Sequence, residues 1–378
     1  MGAGKAAAAM AAAVDTAWPD ADLSGVVCTR YEHGVPAGRI RVLEAGHPVP
    51  DQASETAARE ILSAVGGLSP DDLVIALISG GGSATLALPI NGLTLERKQQ
   101  ITRQLLHSGA GISEINTVRT QLSQIKGGKL AAAVAPARLL TLIISDVPGD
   151  DPAIVASGPT IRGDSTPADA LRVLNRYGID SPAAVHDRLA SAESQEPIAY
   201  QCEHRIVASP SQALEAAAKE ARQLGFAVVN LGDRIEGESK AYARDTAKLA
   251  RSVLEKGKSA HTPTMLISGG ETSVTIGKEG AGRGGRNMEF LLALAVELDG
   301  EPDIYALAGD SDGIDGTEDA AGAIITPDTL SRAVTAGFDP VDVLQRHDSY
   351  SLFQRLDDLV ITGPTLTNVN DIRIVAVT

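Results

Sequence analysis

The stretch LVIALISGGGSATL (73–86) decides the architecture. Six aliphatic residues in an unbroken run, closed by Ser79, leave no room for alternating polar positions. A run of that kind is a strand buried on both faces, which a parallel sheet covered by helices provides. Working outward, LSGVVCT (23–29) and LLTLIIS (139–145) read the same way. Between these runs lie helical patterns such as SETAAREILSAV (54–65) and LERKQQITRQLLHSG (95–109). Strand–helix alternation of this kind builds βαβ units and a mostly parallel sheet. A polar stretch, SAESQEPIAYQCEH (191–204), interrupts it, and the alternation then restarts with RIVAS, PSQALEAAAKEARQLG and FAVVNLG. Two α/β domains are expected, 1–198 and 199–378. LISGGETSVTI (266–276) echoes the opening stretch in the second half. Ligands bind beyond the carboxyl ends of such strands, so the two glycine loops are expected to face one cleft.

Composition narrows the function. The 378 residues carry 33 Lys and Arg against 48 Asp and Glu, a net charge of −15, with only 3% aromatic residues. No basic tract supplies the footprint that nucleic acid requires, and stacking platforms are scarce. An anionic substrate would need a local group of cations and bare N–H groups to overcome the global field. Two cysteines, Cys28 and Cys202, provide neither a disulfide framework nor a zinc site. No apolar run reaches the roughly 18 residues of a membrane span. A cytoplasmic protein is expected, and its oligomeric state, homo-oligomer or monomer, is not legible.

The glycine loops come first among the segments that could carry chemistry. In SGGGSA, Ser79, Gly80, Gly81, Gly82 and Ser83 follow a strand and offer successive backbone N–H groups to an anion. The loop lacks the G-K-[ST] ending of a Walker A sequence. GKEGAGRGGRNMEF (277–290) sets Arg283 and Arg286 among glycines, including Gly284 and Gly285, just before a helical pattern. Guanidinium forks beside a helix N-terminus suit phosphate recognition. The chain opens MGAGKAAAAM, in which Gly2, Gly4 and Ala7 spell a dinucleotide fingerprint. That fingerprint requires a preceding strand and an acidic residue ending the second strand. Only Met1 precedes Gly2, and the second strand ends Thr29–Arg30. Lys5, at the head of an alanine helix, reads instead as a phosphate or carboxylate handle.

Two acidic loops follow strands. ISDVPGDDPAIVASGPT (144–160) holds Asp146, Asp150 and Asp151, and AGDSDGIDGTEDAAGA (308–323) holds Asp310, Asp312, Asp315 and Asp319. Carboxylates beside a phosphate site supply a base and Mg²⁺ ligands for phosphoryl transfer. Asp146 and Asp312 are the candidate ligands, and Asp146 the candidate base. EINTVRTQLSQIKGGKL (114–130) adds Asn116, Arg119 and Lys126 as candidate binding residues, and GHPVPD (46–51) adds His47.

GAGKAAAAM, GHPVPD, SGGGSA, EINTVR, IKGG, SDVPGDDPAIVASGPT, GRGGRN, GDSDGIDG and GPTLTNVND occur here in that order. In this the chain resembles the type II glycerate 2-kinases, whose C-terminal part is called MOFRL. The resemblance implies ATP- and Mg²⁺-dependent phosphorylation of D-glycerate at its 2-hydroxyl, giving 2-phosphoglycerate. It also implies a Rossmann-like N-terminal domain, a smaller α/β C-terminal domain and an active site between them. The family's essential lysine lies in the motif that here reads GAGKA, so Lys5 takes that role, and its essential arginine falls on Arg283. Family members carry a helix and a strand before the GAGKA loop. This sequence begins inside the loop, so its first sheet is expected to lack that strand. The runner-up function is an NAD(P)H-dependent hydroxypyruvate reductase, an Arg at the end of the second strand being compatible with NADP.

Overall fold

The computed structural model describes residues 1–191, 202–260, 262–277, 280 and 282–378. The chain divides into two compact units, one of residues 1–145 and 151–207, the other of 146–150 and 208–378. The domain boundary expected after residue 198 lies outside the described residues.

Strands β1 (Gly2–Ala3), β2 (Gly25–Arg30), β3 (Ile40–Ala45), β4 (Leu73–Ser79), β5 (Arg138–Ile144) and β6 (Cys202–Ala208) form the first sheet, in the order β3-β2-β1-β4-β5-β6. The first five pair parallel with their neighbours. The aliphatic run at 73–79 is therefore a central strand, as its unbroken apolarity requires. The order reverses between β1 and β4, the topological switch point at which doubly wound sheets hold ligands. Helices α1 (Ala7–Ala17), α2 (Gln52–Ala64), α3 (Gly82–Thr85), α4 (Leu95–His107), α5 (Ile112–Gln121) and α6 (Lys129–Val134) follow these strands.

The missing strand is a point of correction. Gly2 and Ala3 themselves pair with Val27 and Cys28 on one side and Leu77 and Ile78 on the other. Two residues suffice because the neighbouring strands are already fixed by longer ladders. Alanine then lets α1 lie close on the sheet, with Ala7, Ala8 and Ala11 wholly buried.

Helices α7 (Pro167–Arg176) and α8 (Ala183–Ser191) complete the first unit. They pack with α4 and α5 around Ile101, Leu105, Ile115, Val118 and Leu174.

In the second unit, helices α9 (Pro210–Gln223), α10 (Ser239–Ala260) and α11 (Arg286–Leu298) accompany a second six-stranded sheet. Its strands are β7 (Ala227–Asn230), β9 (Thr264–Gly269), β11 (Ile304–Asp310), β12 (Gly322–Ile325), β13 (Leu359–Val360) and β14 (Asp371–Val377), in the order β13-β12-β11-β14-β9-β7. The short strands β8 (Gly237–Glu238) and β10 (Thr272–Ser273) pair separately. This second sheet, unlike the first, is mostly antiparallel. Only β7 and β9 run parallel, whereas β9, β14, β11, β12 and β13 pair antiparallel. For β11 and β12 the reason is connection length: the acidic loop 311–321 joins them without a helix, and a parallel return needs a longer crossover. Helix α11 is the spine of this unit, buried from Asn287 through Ala295. Among the described residues no helix is long and apolar enough to cross a membrane.

Candidate active site

The turn between β1 and α1 and the loop after β4 meet at the switch point of the first sheet. Gly4 has φ +121°, and a methyl group on it would fall 2.3 Å from the Ser79 carbonyl oxygen. No other residue fits so close an approach. Every amide of this turn has a partner within the protein. Gly4 donates to the Cys28 carbonyl (3.0 Å), Lys5 to that of Gly80 (2.8 Å) and Ala7 to that of Gly4 (3.0 Å). Ala6 donates to the buried Ser79 hydroxyl at 3.0 Å. A dinucleotide site uses such amides for the pyrophosphate, so this turn has none to give. The second strand ends in Thr29, whose hydroxyl donates to the Lys5 carbonyl at 3.2 Å, and in Arg30. Neither is the acidic residue that would hold a ribose.

The side chains of Lys5 and His47 lie over Gly81. A methyl group built there would sit 3.1 Å from Lys5 Cγ and 3.2 Å from His47 Cδ2, and its φ of +81° is left-handed as well. In contrast to the first turn, the N–H groups of Gly81, Gly82 and Ser83 donate to nothing among the described residues. The Ser83 hydroxyl pairs with that of Ser157 at 2.7 Å, and the Lys126 ammonium donates to the Ser83 carbonyl at 2.5 Å. One short loop is thus flanked by Lys5 and His47 at Gly81 and by Lys126 at Ser83.

Behind Lys126 lie more cations. Arg119 of α5 donates to the Asn116 side-chain carbonyl at 3.4 Å, and Lys129 to the carbonyls of Ser123 (2.5 Å) and Thr120 (3.1 Å). Burial, then the charges of Lys98 and Arg119, hold the Lys126 ammonium well below its ordinary pKa. Burial lowers Arg119 in the same direction. Lys98 belongs to no motif in the sequence. It stands on the apolar stripe of α4 between Leu95 and Ile101, and a lysine at that register was the one available signal.

In the second unit the two arginines have different surroundings. Arg283 is half-exposed, donating to Glu318 from Nε (3.1 Å) and Nη2 (2.7 Å), with Cζ 4.1 Å above the Tyr350 ring. The guanidinium side of this pair faces solvent, while the Glu318 side chain is only 12% exposed. Arg286 is gripped by Asp371 (2.8 and 3.0 Å), Asp310 (3.0 Å) and Glu271 (2.6 Å). Burial opposes its charge, but these carboxylates raise its pKa far above the ordinary value. It braces the strand ends.

The expected phosphate seat at the start of α11 is filled. Asp315 accepts from the amides of Asn287 (3.1 Å) and Met288 (2.9 Å), and Gly284 and Gly285 pack against Ser349 and Asp315. A carboxylate of this chain occupies the positive helix end that the sequence suggested for a ligand.

Two family descriptions match the chain: a domain of unknown function, DUF4147, over residues 1–190, and the MOFRL family over 264–371. The D-glycerate 2-kinase of Thermotoga maritima is 39% identical over 98% of this chain and 88% of its own length. The chain belongs to the MOFRL glycerate kinase family. A crystal structure of glycerate kinase from Thermotoga maritima superposes with TM-score 0.91 at 38% identity, covering 100% of this chain and 90% of that one. A protein of Agrobacterium vitis, 56% identical over 100% of this chain and 86% of its own, carries a provisional hydroxypyruvate reductase name.

The two acidic loops hold Asp146 and Asp312, the aspartates expected from the sequence as metal ligands. Asp146 accepts from the Asn368 amide at 3.1 Å, and its backbone carbonyl accepts from Asn370 at 3.0 Å. Asp312 is buried, with Oδ1 accepting from the Ile314 amide at 2.9 Å and its carbonyl from Thr365 at 3.1 Å. Asp146 and the 310–312 turn thus border the same 365–370 segment. Among the described residues no three His, Cys, Asp or Glu side chains gather to hold a metal.

Proposed function

We propose that this chain transfers the γ-phosphoryl group of Mg²⁺-bound ATP to the 2-hydroxyl of D-glycerate, giving 2-phosphoglycerate and ADP. The observation that carries the choice is the closed β1–α1 turn. Its four amides bond within the protein, which argues against dinucleotide binding, while the Gly81–Ser83 amides stay unbonded beside Lys5. Membership of the glycerate kinase family supports the same reaction class.

In this reading Lys5, His47 and the SGGGSA amides receive anionic oxygens in the first unit, with Lys126 bonded to the Ser83 carbonyl of the same loop and Asn116 and Arg119 assisting. In the second unit Arg283 exchanges Glu318 for a substrate anion, and Asp146 takes the proton of the 2-hydroxyl. The new O–P bond forms as the bond from the γ-phosphorus to the β–γ bridging oxygen breaks and ADP leaves. Nearly all of the rate would come from positioning and charge stabilisation. The protein is proposed to act in the cytoplasm.

A coupled assay with D-glycerate and Mg²⁺-ATP, with the product identified as 2- or 3-phosphoglycerate, tests the proposal. Release of ADP dependent on D-glycerate supports it. NADPH oxidation by hydroxypyruvate without ATP turnover overturns it in favour of the reductase that some relatives' names suggest.

A further inference from the structure

Lys98 is a buried cation without a counterion. Its residue is 7% exposed, and its ammonium has no hydrogen-bond partner among the described residues. It lies with Leu95, Ile101 and Leu105 on the inward face of α4. Its charged neighbours have the same sign. The field at Lys98 comes from Arg119 and Lys129, and that at Lys126 from Lys98 and Arg119. None of these four cations forms an ion pair among the described residues. Lys126 and Lys129 relieve their burial on carbonyl oxygens, and Arg119 on an amide oxygen. Lys98 has no such relief.

A solitary buried ammonium is among the least favourable groups a fold can keep, and an apolar residue on this stripe would be more stable. Three further cations at the same place multiply the cost. In a chain of net charge −15, an acidic partner would have been easy to supply. The arrangement makes sense when the missing partner is a ligand. The Lys126 ammonium reaches the Ser83 carbonyl, and Ser83 pairs with Ser157, so the cation group abuts the SGGGSA loop.

We propose that Lys98 is a ligand-binding residue: with Arg119 and Lys126 it forms an oxyanion pocket that takes a carboxylate or a phosphoryl group. The pocket deepens the kinase reading and rests on it for its natural occupant, since the acceptor acid and the nucleotide carry those two groups. Its anion binding does not require turnover.

The test measures melting temperature and calorimetric binding of the full chain with inorganic phosphate, D-glycerate and Mg²⁺-ATP, comparing wild type with Lys98→Met and Lys98→Gln. The wild type is expected to bind phosphate and both substrates. Lys98→Met is expected to melt higher than wild type without ligand and to bind phosphate about 10- to 100-fold more weakly, the worth of one charge-assisted hydrogen bond. A loss confined to D-glycerate assigns the pocket to the carboxylate, and one confined to Mg²⁺-ATP assigns it to the phosphate chain. Unchanged affinity of the Lys98 variants for all three anions overturns the proposal, as does a wild type that binds none of them. If neither variant folds, Lys98 is a structural residue and the proposal falls. A chain that binds phosphate through Lys98 yet transfers no phosphoryl group to glycerate would sink the kinase reading and leave the pocket standing.

Discussion

The amide of Ala6 donates to the buried hydroxyl of Ser79 at 3.0 Å, joining the first turn of the chain to the end of the central strand β4. That bond, with three like it, turns a sequence that spells a dinucleotide fingerprint into a closed turn. Ser79→Ala would leave the Ala6 N–H buried without an acceptor and cost about 1–3 kcal/mol in urea unfolding. Titration of the wild type with NADPH should give no saturable change in protein or cofactor fluorescence, whereas Mg²⁺-ATP should protect it thermally.

Lys5 lies against Gly81 with His47. Lys5→Ala is expected to lower kcat for D-glycerate phosphorylation by about 10²–10³-fold, the effect of removing one preorganised charge-stabilising donor. A turnover number within twofold of wild type would remove Lys5 from the chemistry.

The two arginines of the glycine loop should separate cleanly. Arg286 holds Asp371 and Asp310, which are 0% and 8% exposed at their side chains, while Asp371 also keeps Arg373 at 2.7 Å, so Arg286→Ala should cost about 1.5–3 kcal/mol of stability. Arg283 is half-exposed but its partner Glu318 is only 12% exposed at its side chain, so Arg283→Ala should cost about 1 kcal/mol, less than Arg286→Ala, while lowering kcat/KM. Denaturation curves beside initial rates check both outcomes.

Burial, then the charges of Arg119 and Lys129, brings the Lys98 pKa down from 10.5 to about 7. Below about 7 both folded and unfolded chains carry the proton. Between about 7 and 10.5 the folded protein has given it up while the unfolded chain keeps it. The unfolded state therefore binds more protons in that window, and stability rises with pH through it. Lys129, brought down to about 8 by burial and Arg188, adds the same slope above 8. The stability gained by Lys98→Met should be largest at pH 7 and shrink toward pH 10, measured by urea midpoints.

Asp315 accepts the first amides of α11, Asn287 and Met288, from the loop between β11 and β12. Asp315→Ala should cost about 1–3 kcal/mol by leaving those donors buried and unpaired. Asp315→Asn, which keeps one acceptor oxygen, should recover part of the loss in thermal unfolding.

Much of this was legible in the chain. The apolar run at 73–79 is a central strand with the bounds its pattern implies, and the same holds within a residue or two for β2 and β5. Apolar runs and helical stripes are local consequences of burial, so they appear in sequence wherever the sheet is covered on both faces. The motifs GAGKA, SGGGSA and GRGGRN were visible for the same reason: a loop that must approach another backbone needs glycine at fixed places.

The roles of individual side chains were not legible, because a role depends on what stands opposite. Arg283 and Arg286 are three residues apart and chemically identical, yet one faces a single glutamate and the other three carboxylates from distant parts of the chain. Asp315 is one acid among several in the sequence, and only the fold sets it at the start of α11. The antiparallel pairing of β11 with β12 turned on the absence of a helix in one loop. Sequence alone determined where the chain must be buried and where it must bend, since those demands act residue by residue. Tertiary structure decided which amides remain unbonded and which charges lack a partner, because hydrogen bonding and electrostatics are set by neighbours tens of residues away.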